Sequence, residues 1–236
     1  MKRVGWLLAL VFASTLAGAA ERQPEDVTLS WRIDLNEKGA IQSLEPINPE
    51  YMQALQKRLE PAIRNWHFTT GKVNGQPAPT TTTLTLRMGF ESIGNGDFNV
   101  RLRRASTGAY YKHLVQPRYP DYALSAHRGA AAVMLQVDFD ANGKVTSAVP
   151  VAGGVPEPRK VFNDAAISAV TKWTFTPESI AGHGLSGKVL VPVCFSVAQT
   201  TCRWHRDGED RPIDGNSPLS LTSVVQIDTD VVGSTL

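Results

Sequence analysis

Five histidines (His67, His113, His127, His183, His205) and two cysteines (Cys194, Cys202) are the side chains best suited to nucleophilic or metal chemistry in this chain. Their spacing argues against both uses. No His-Glu-x-x-His pair sets two imidazoles on one helical face for zinc, and no Gly-x-Ser-x-Gly elbow presents a serine. Cys194, Cys202 and His205 lack the paired close spacings of a structural zinc site and an identifiable fourth ligand. Asp140 to Gly143 resembles the start of a calcium loop without its downstream carboxylates. Asp207, Glu209 and Asp210 stand among Gly and Pro neighbours and read as a solvated loop. The expectation is therefore no enzyme, no metal, no cofactor and no small-molecule substrate. The cysteines, with seven residues between them, either close a short loop as a disulfide in an oxidising compartment or remain buried thiols.

The N-terminus bears on the compartment. Lys2 and Arg3 precede an apolar run over residues 4–16, and Ala17, Gly18 and Ala19 give the small-x-small pattern of a signal-peptidase site. This predicts a signal peptide over 1–19 and a soluble exported protein. The alternative is a retained membrane anchor, for which the run is short against the roughly 20 apolar residues a spanning helix needs. The 236 residues, 42 % hydrophobic and 19 % charged, suffice for one large or two small domains. A balance of 24 Lys and Arg against 22 Asp and Glu carries no basic stripe, which argues against nucleic acid as a partner. Arg101, Arg103, Arg104, His113 and Arg118 could form a local basic face that contacts cell wall or an acidic partner, or simply a solvated surface.

The elements that would position any site show a repeat. Trp66-x-Phe68-Thr69 recurs as Trp173-x-Phe175-Thr176. Val133, Leu135, Val137 and Phe139 alternate with polar residues, Met134 excepted, and Leu29, Trp31, Ile33 and Leu35 do the same one constant shift earlier; both patterns predict half-buried strands. Asn142-Gly143 and Lys38-Gly39 mark turns that need positive φ. Second strands come next, over 144–151 and 40–46. Helical periodicity succeeds them, over 161–173 and 50–66, with Pro61 predicting a kink or a fresh start in the earlier copy. Third strands close each copy, Val189, Val191, Val193 and Phe195 in one and Leu84, Leu86, Met88 and Phe90 in the other. The chain thus reads as α+β: two tandem β-β-α-β units, each a small antiparallel sheet with one helix on one face. The boundaries are 27–91, a connecting strand or linker over 92–112, 113–198, and a C-terminal tail over 199–236.

The second unit resembles the TonB C-terminal domain family. The residues that carry the resemblance are Gln116-Pro117-Arg118-Tyr119-Pro120, Gly143, Ala165-Ala166, Trp173-Thr174-Phe175-Thr176-Pro177 and Val191-Pro192-Val193-x-Phe195, in family order. The first unit is similar through Gly39, Trp66, Phe68, Gly75 and Phe90 but has no Tyr-Pro motif, so it resembles a divergent domain of the same type. The resemblance implies a periplasmic protein-protein interaction module that pairs with an extended segment, the TonB box, of an outer-membrane TonB-dependent transporter. A full energy transducer also needs an inner-membrane helix and a long Pro-rich spacer, so a soluble adaptor is expected; an anchored transducer, or an envelope scaffold that dimerises or contacts the cell wall, are the alternatives.

A small sheet backed by one helix leaves an edge strand able to accept a guest. The expected peptide-binding edge is Val189, Leu190, Val191, Pro192, Val193, Cys194 and Phe195, because proline is confined to edges. Leu84, Thr85, Leu86, Arg87 and Met88 are the alternative edge, with an N–H at Arg87 where the other strand has Pro192. Coverage of both edges, by each other, by 98–102 or by the tail, is the competing expectation. Within the tail, Asp228-Thr229-x-Val231-Val232 resembles a TonB box; it either lies along an edge strand of its own or a neighbouring molecule or is an ordinary last strand.

Overall fold

The computed structural model describes residues 26–94, 97–121, 131–152, 160–195, 203–204, 213–214, 217–228 and 231–233. The leader-like residues 1–19, His127, Cys202, His205 and the acidic cluster 207–210 lie outside that set. The fold is α+β, mostly strands with two described helices. In chain order the elements are β1 (Val27–Leu35), β2 (Ile41–Pro46), α1 (Gln53–Arg64), β3 (Phe68–Thr69), β4 (Lys72–Val73), β5 (Gln76–Pro77), β6 (Thr80–Gly94), β7 (Asp97–Gly108) and β8 (Tyr110–His113). Then come β9 (Ala131–Phe139), β10 (Val145–Pro150), α2 (Lys160–Val170), β11 (Thr174–Thr176), β12 (Ser179–Ile180), β13 (His183–Gly184) and β14 (Gly187–Phe195). Four short strands complete the order: β15 (Arg203–Trp204), β16 (Ile213–Asp214), β17 (Leu219–Ser220) and β18 (Gln226–Ile227). No helix among the described residues is long and apolar enough to cross a membrane.

In the first half, β1 lies between β2 and β6, all antiparallel. The alternation seen in the sequence turns Leu29, Trp31, Ile33 and Leu35 onto the face that α1 covers with Leu59 and Ile63, and Trp66 and Phe68 close the same core. Each such side chain, fully removed from water, contributes on the order of 2 kcal/mol. In the second half, β9 lies between β10 and β14, also antiparallel. Val133, Leu135, Val137 and Phe139 meet Phe162, Ala166 and Val170 of α2, with Trp173 and Phe175 completing the layer. Met134, the residue that broke the alternation, is buried on the opposite face with Leu190, against Ala132, Val151 and Leu219.

The two hairpin turns match atom for atom. Asn36 Oδ1 accepts from the Lys38 and Ala40 N–H groups at 2.9 and 3.0 Å, and Asp140 Oδ1 accepts from Asn142 and Lys144, both at 2.9 Å. Gly39 and Gly143 are then held at φ +77° and +81°. A Cβ would stand 1.7 Å from the Phe68 carbonyl oxygen in one turn and 1.9 Å from that of Phe175 in the other, so both conformation and space require glycine.

Other expectations need correction. Leu84, Thr85, Leu86, Arg87 and Met88 are not an edge: β1 pairs one side of β6 and β7 pairs the other from Thr83 to Gly94. The stretch expected to link the units is itself an alternating strand, with Val100 and Leu102 buried between exposed or half-buried arginines, and it folds back as the hairpin partner of β6. Arg87 is further held by Asp26, at 2.9 Å. The first sheet is also not confined to its own segment, because β12 pairs Thr80 and Thr81 of β6 and carries β13 with it. Finally, α1 runs through Pro61 without starting again. Pro61 and Lys57 are both on the exposed side of the helix, where the Lys57 carbonyl that the missing N–H leaves over can face solvent.

Candidate peptide-docking edge

The strand β14 is the third strand of the second sheet, whose order is β10-β9-β14-β17. Its register with β9 is unbroken from Gly187 against Phe139 to Phe195 against Ala131. Val189, Val191, Val193 and Phe195 enter the core below α2, whereas Leu190 packs on Met134 on the far face.

The outer side of β14 is partly occupied by the chain's own tail. Val189 and Leu190 are the Cα partners of Ser220 and Leu219. Lys188 receives a hydrogen bond at its carbonyl from Leu221 N–H, 2.8 Å, and gives its N–H to Thr222 Oγ1, 3.0 Å. Lys188 therefore points its backbone groups outward. Because these groups alternate along a strand, Leu190, Pro192 and Cys194 point outward too, while Val189, Val191 and Val193 serve β9. The missing donor of Pro192 thus falls on the outer side, as its place in the sequence predicts, and costs the β9 ladder nothing. Among the described residues the tail pairs this edge at its Gly187 end, at Val189 and Leu190. Cys194 is disulfide-bonded, and Cys202, the chain's other cysteine, lies outside the described residues.

The motif residues assemble the domain around this strand. Tyr119 sets its ring edge-on to Phe162 at 5.7 Å and to Phe195, the last residue of β14, at 6.0 Å, which fixes the strand's far end. Trp173 Nε1 donates to the Val115 carbonyl at 2.7 Å and tethers the segment that carries Pro117 and Pro120. Phe175 stacks on Phe139 at 5.2 Å, and β11 pairs with β8. Burial, reinforced by neighbouring Tyr110, pushes the Tyr111 phenol well above the ordinary tyrosine range. Gly143 holds its hairpin, and Pro177 precedes β12; neither reaches the outer side of β14.

A residue that sequence reasoning passed over joins the two halves and the tail. Glu178 is buried; its Oε1 accepts from Thr82 Oγ1 at 2.6 Å and Ser223 Oγ at 2.9 Å, and its Oε2 accepts from the Val224 N–H at 2.9 Å. Beside it the Arg32 guanidinium donates to the Pro177 carbonyl at 3.2 Å; burial pulls that guanidinium below its ordinary value, and Asp34 and Glu178 oppose the shift. A lone Glu whose partners lie far away in sequence leaves no periodic or motif signal to find.

Comparison with known proteins bears on this half of the chain. Residues 115–197 match the family described as Gram-negative bacterial TonB protein C-terminal. These residues form a TonB C-terminal family domain. Two curated proteins named Protein TonB, from two strains of Xanthomonas campestris pv. campestris, are each 32 % identical to the chain over 93 residues, which is 39 % of this chain. The match spans 40 % of the length of each relative. No solved structure matches. The TonB-type domain therefore includes α2, the β9-β10 hairpin and β14, whereas the half built on β1, β2, α1 and β6 lies outside the matched segment.

Proposed function

We propose that this chain is a periplasmic, non-enzymatic module linked to TonB-dependent transport, which captures extended segments of outer-membrane transporters by strand addition along Val189–Phe195 of β14. The carrying observation is that edge itself: within a TonB-type domain, the outer side of β14 is paired by the tail at one end, and the pairing there is antiparallel strand addition. A guest would gain about 1 kcal/mol net for each main-chain hydrogen bond it makes, less one at Pro192. The proposal includes a tandem arrangement of two TonB-like units, supported by the matching turns at Gly39 and Gly143 and by the shared strand order, third strand beside first beside second. It also includes a disulfide between Cys194 and Cys202, which would tie the end of β14 to the segment C-terminal to it.

Titration of labelled transporter peptides tests this. Saturable binding is expected, lost when alternate peptide nitrogens of the guest are methylated, since methylation removes donors without altering this protein. Binding that ignores methylation, or none at all, would sink the reading. A scaffold role rests on a separate observation, that β10 pairs only β9 among the described residues and exposes Val149. Sedimentation showing a stable dimer together with no peptide binding would favour it.

A further inference from the structure

The tail makes a second set of contacts, on the other half of the molecule. β18 pairs antiparallel with β3, Gln226 opposite Thr69 and Ile227 opposite Phe68. Asp228 N–H donates to the His67 carbonyl at 3.0 Å, and Thr69 Oγ1 donates to the Asp228 carboxylate at 2.8 and 2.9 Å. Thr107 Oγ1 donates to the Val225 carbonyl at 2.6 Å, and Gly233 N–H donates to the Leu102 carbonyl at 2.8 Å. Val225 and Val231 are buried members of the first core, and Val224 and Ile227 pack against it.

The TonB-type half fills the corresponding place differently. There β11, the counterpart of β3, pairs with β8, Tyr111 opposite Phe175 and Tyr110 opposite Thr176. Aligning Phe68 with Phe175 sets Ile227 in the place of Tyr111 and Gln226 in the place of Tyr110. The same shift sets Val225 on Ala109, both buried in their respective cores, and Val231 on Val115, both packed on those cores. One half takes this strand from the residues just before it. The other takes it from the far end of the chain.

We propose that the groove bounded by β3 and β7 is a second strand-accepting site, distinct from the β14 edge, and that the chain's own segment 225–228, with Val231 after it, is its resident ligand. The groove selects an extended segment with apolar side chains at its first and third positions and a carboxylate at its fourth, as Val225, Ile227 and Asp228 supply. The alignment rests on the two-unit reading above, while the contacts stand without it. Because residues 219–222 of the same tail close one end of β14, release of segment 225–228 would also free the outward groups of Lys188 and Leu190 for a guest.

The test uses the full chain. A doubly substituted tail, Val225→Asp with Ile227→Asp, should release the groove, and a labelled synthetic peptide of residues 217–233 should then bind saturably and at least tenfold more tightly than to the unaltered chain. Equal binding to both chains, or no binding to a variant whose far-ultraviolet spectrum is unchanged, overturns the proposal. Should that variant fail to fold, Thr69→Val and Thr107→Val remove only hydroxyl contacts. Each should speed amide hydrogen exchange at Asp228 and Gly233 by tenfold or more while leaving β9 amides unchanged, and unaltered exchange at Asp228 and Gly233 overturns the proposal. None of these readouts uses a transporter peptide, so failure of β14 to bind one would leave them intact.

Discussion

At the scale of single residues, Gly143 carries a cost that can be separated into parts. Gly75 has the same φ of +81° as Gly143 but nothing within 4 Å of a would-be Cβ, whereas Gly143 faces the Phe175 carbonyl. Gly75→Ala should cost about 1 kcal/mol for the left-handed conformation alone. Gly143→Ala should cost at least about 3 kcal/mol, because the β11 backbone must also move; urea denaturation of both variants measures the difference. Tyr111 gives a pH signature. Its phenol stays protonated in the folded state above the point, about pH 10, at which an unfolded tyrosine ionises, so the unfolded chain binds fewer protons there and is favoured. The stability that Tyr111 contributes is thus fully present below about pH 10 and is lost as pH rises beyond it. Tyr111→Phe should flatten that alkaline decline in a denaturation series, and an unchanged slope would count against it. These residues also mark what the sequence disclosed. Asn-Gly and the Trp-x-Phe-Thr repeat are legible because turn chemistry and spacing are local. Glu178 is silent, since its three donors come from Thr82, Ser223 and Val224 and only the folded chain brings them together.

At the scale of elements, alternation and helical period disclose β1, β9, β14, α1 and α2. What the sequence leaves open is which strand lies beside which. An alternating stretch such as Asp97–Gly108 looks alike whether it links two units or closes a hairpin, and that ambiguity is why β6 reads as an edge from sequence. Pairing at the ends of β14 and β6 is equally invisible beforehand, because β12 and β17 are two residues each and have no period. Glu178 tests how these short strands are held. Glu178→Gln replaces an acceptor-only carboxylate with an amide whose NH2 either faces the Val224 N–H or makes the Thr82 and Ser223 hydroxyls accept where they now donate, and should cost roughly 1–3 kcal/mol. The loss should appear first as faster hydrogen exchange at Val224, with the amides of α2 unaffected.

At the scale of the whole molecule, the halves are bound more closely than two beads on a string. β12 leaves the TonB-type half and pairs with β6, the tail touches β14 and then β3, and the buried Glu178 holds Thr82 of one half and Ser223 of the tail. Thermal unfolding should therefore show one transition, with calorimetric and van't Hoff enthalpies in agreement; two resolved transitions would mean that the junction contributes little. There is a temporal side to the pairing of Ile227 with Phe68. A ribosome delivers Phe68 long before Ile227, so the amino-terminal core waits, one strand short, while the carboxy-terminal core can already close around its own β8. Until Ile227 is made, Phe68 lacks the strand it pairs with, so completion of the amino-terminal core runs against the order of synthesis.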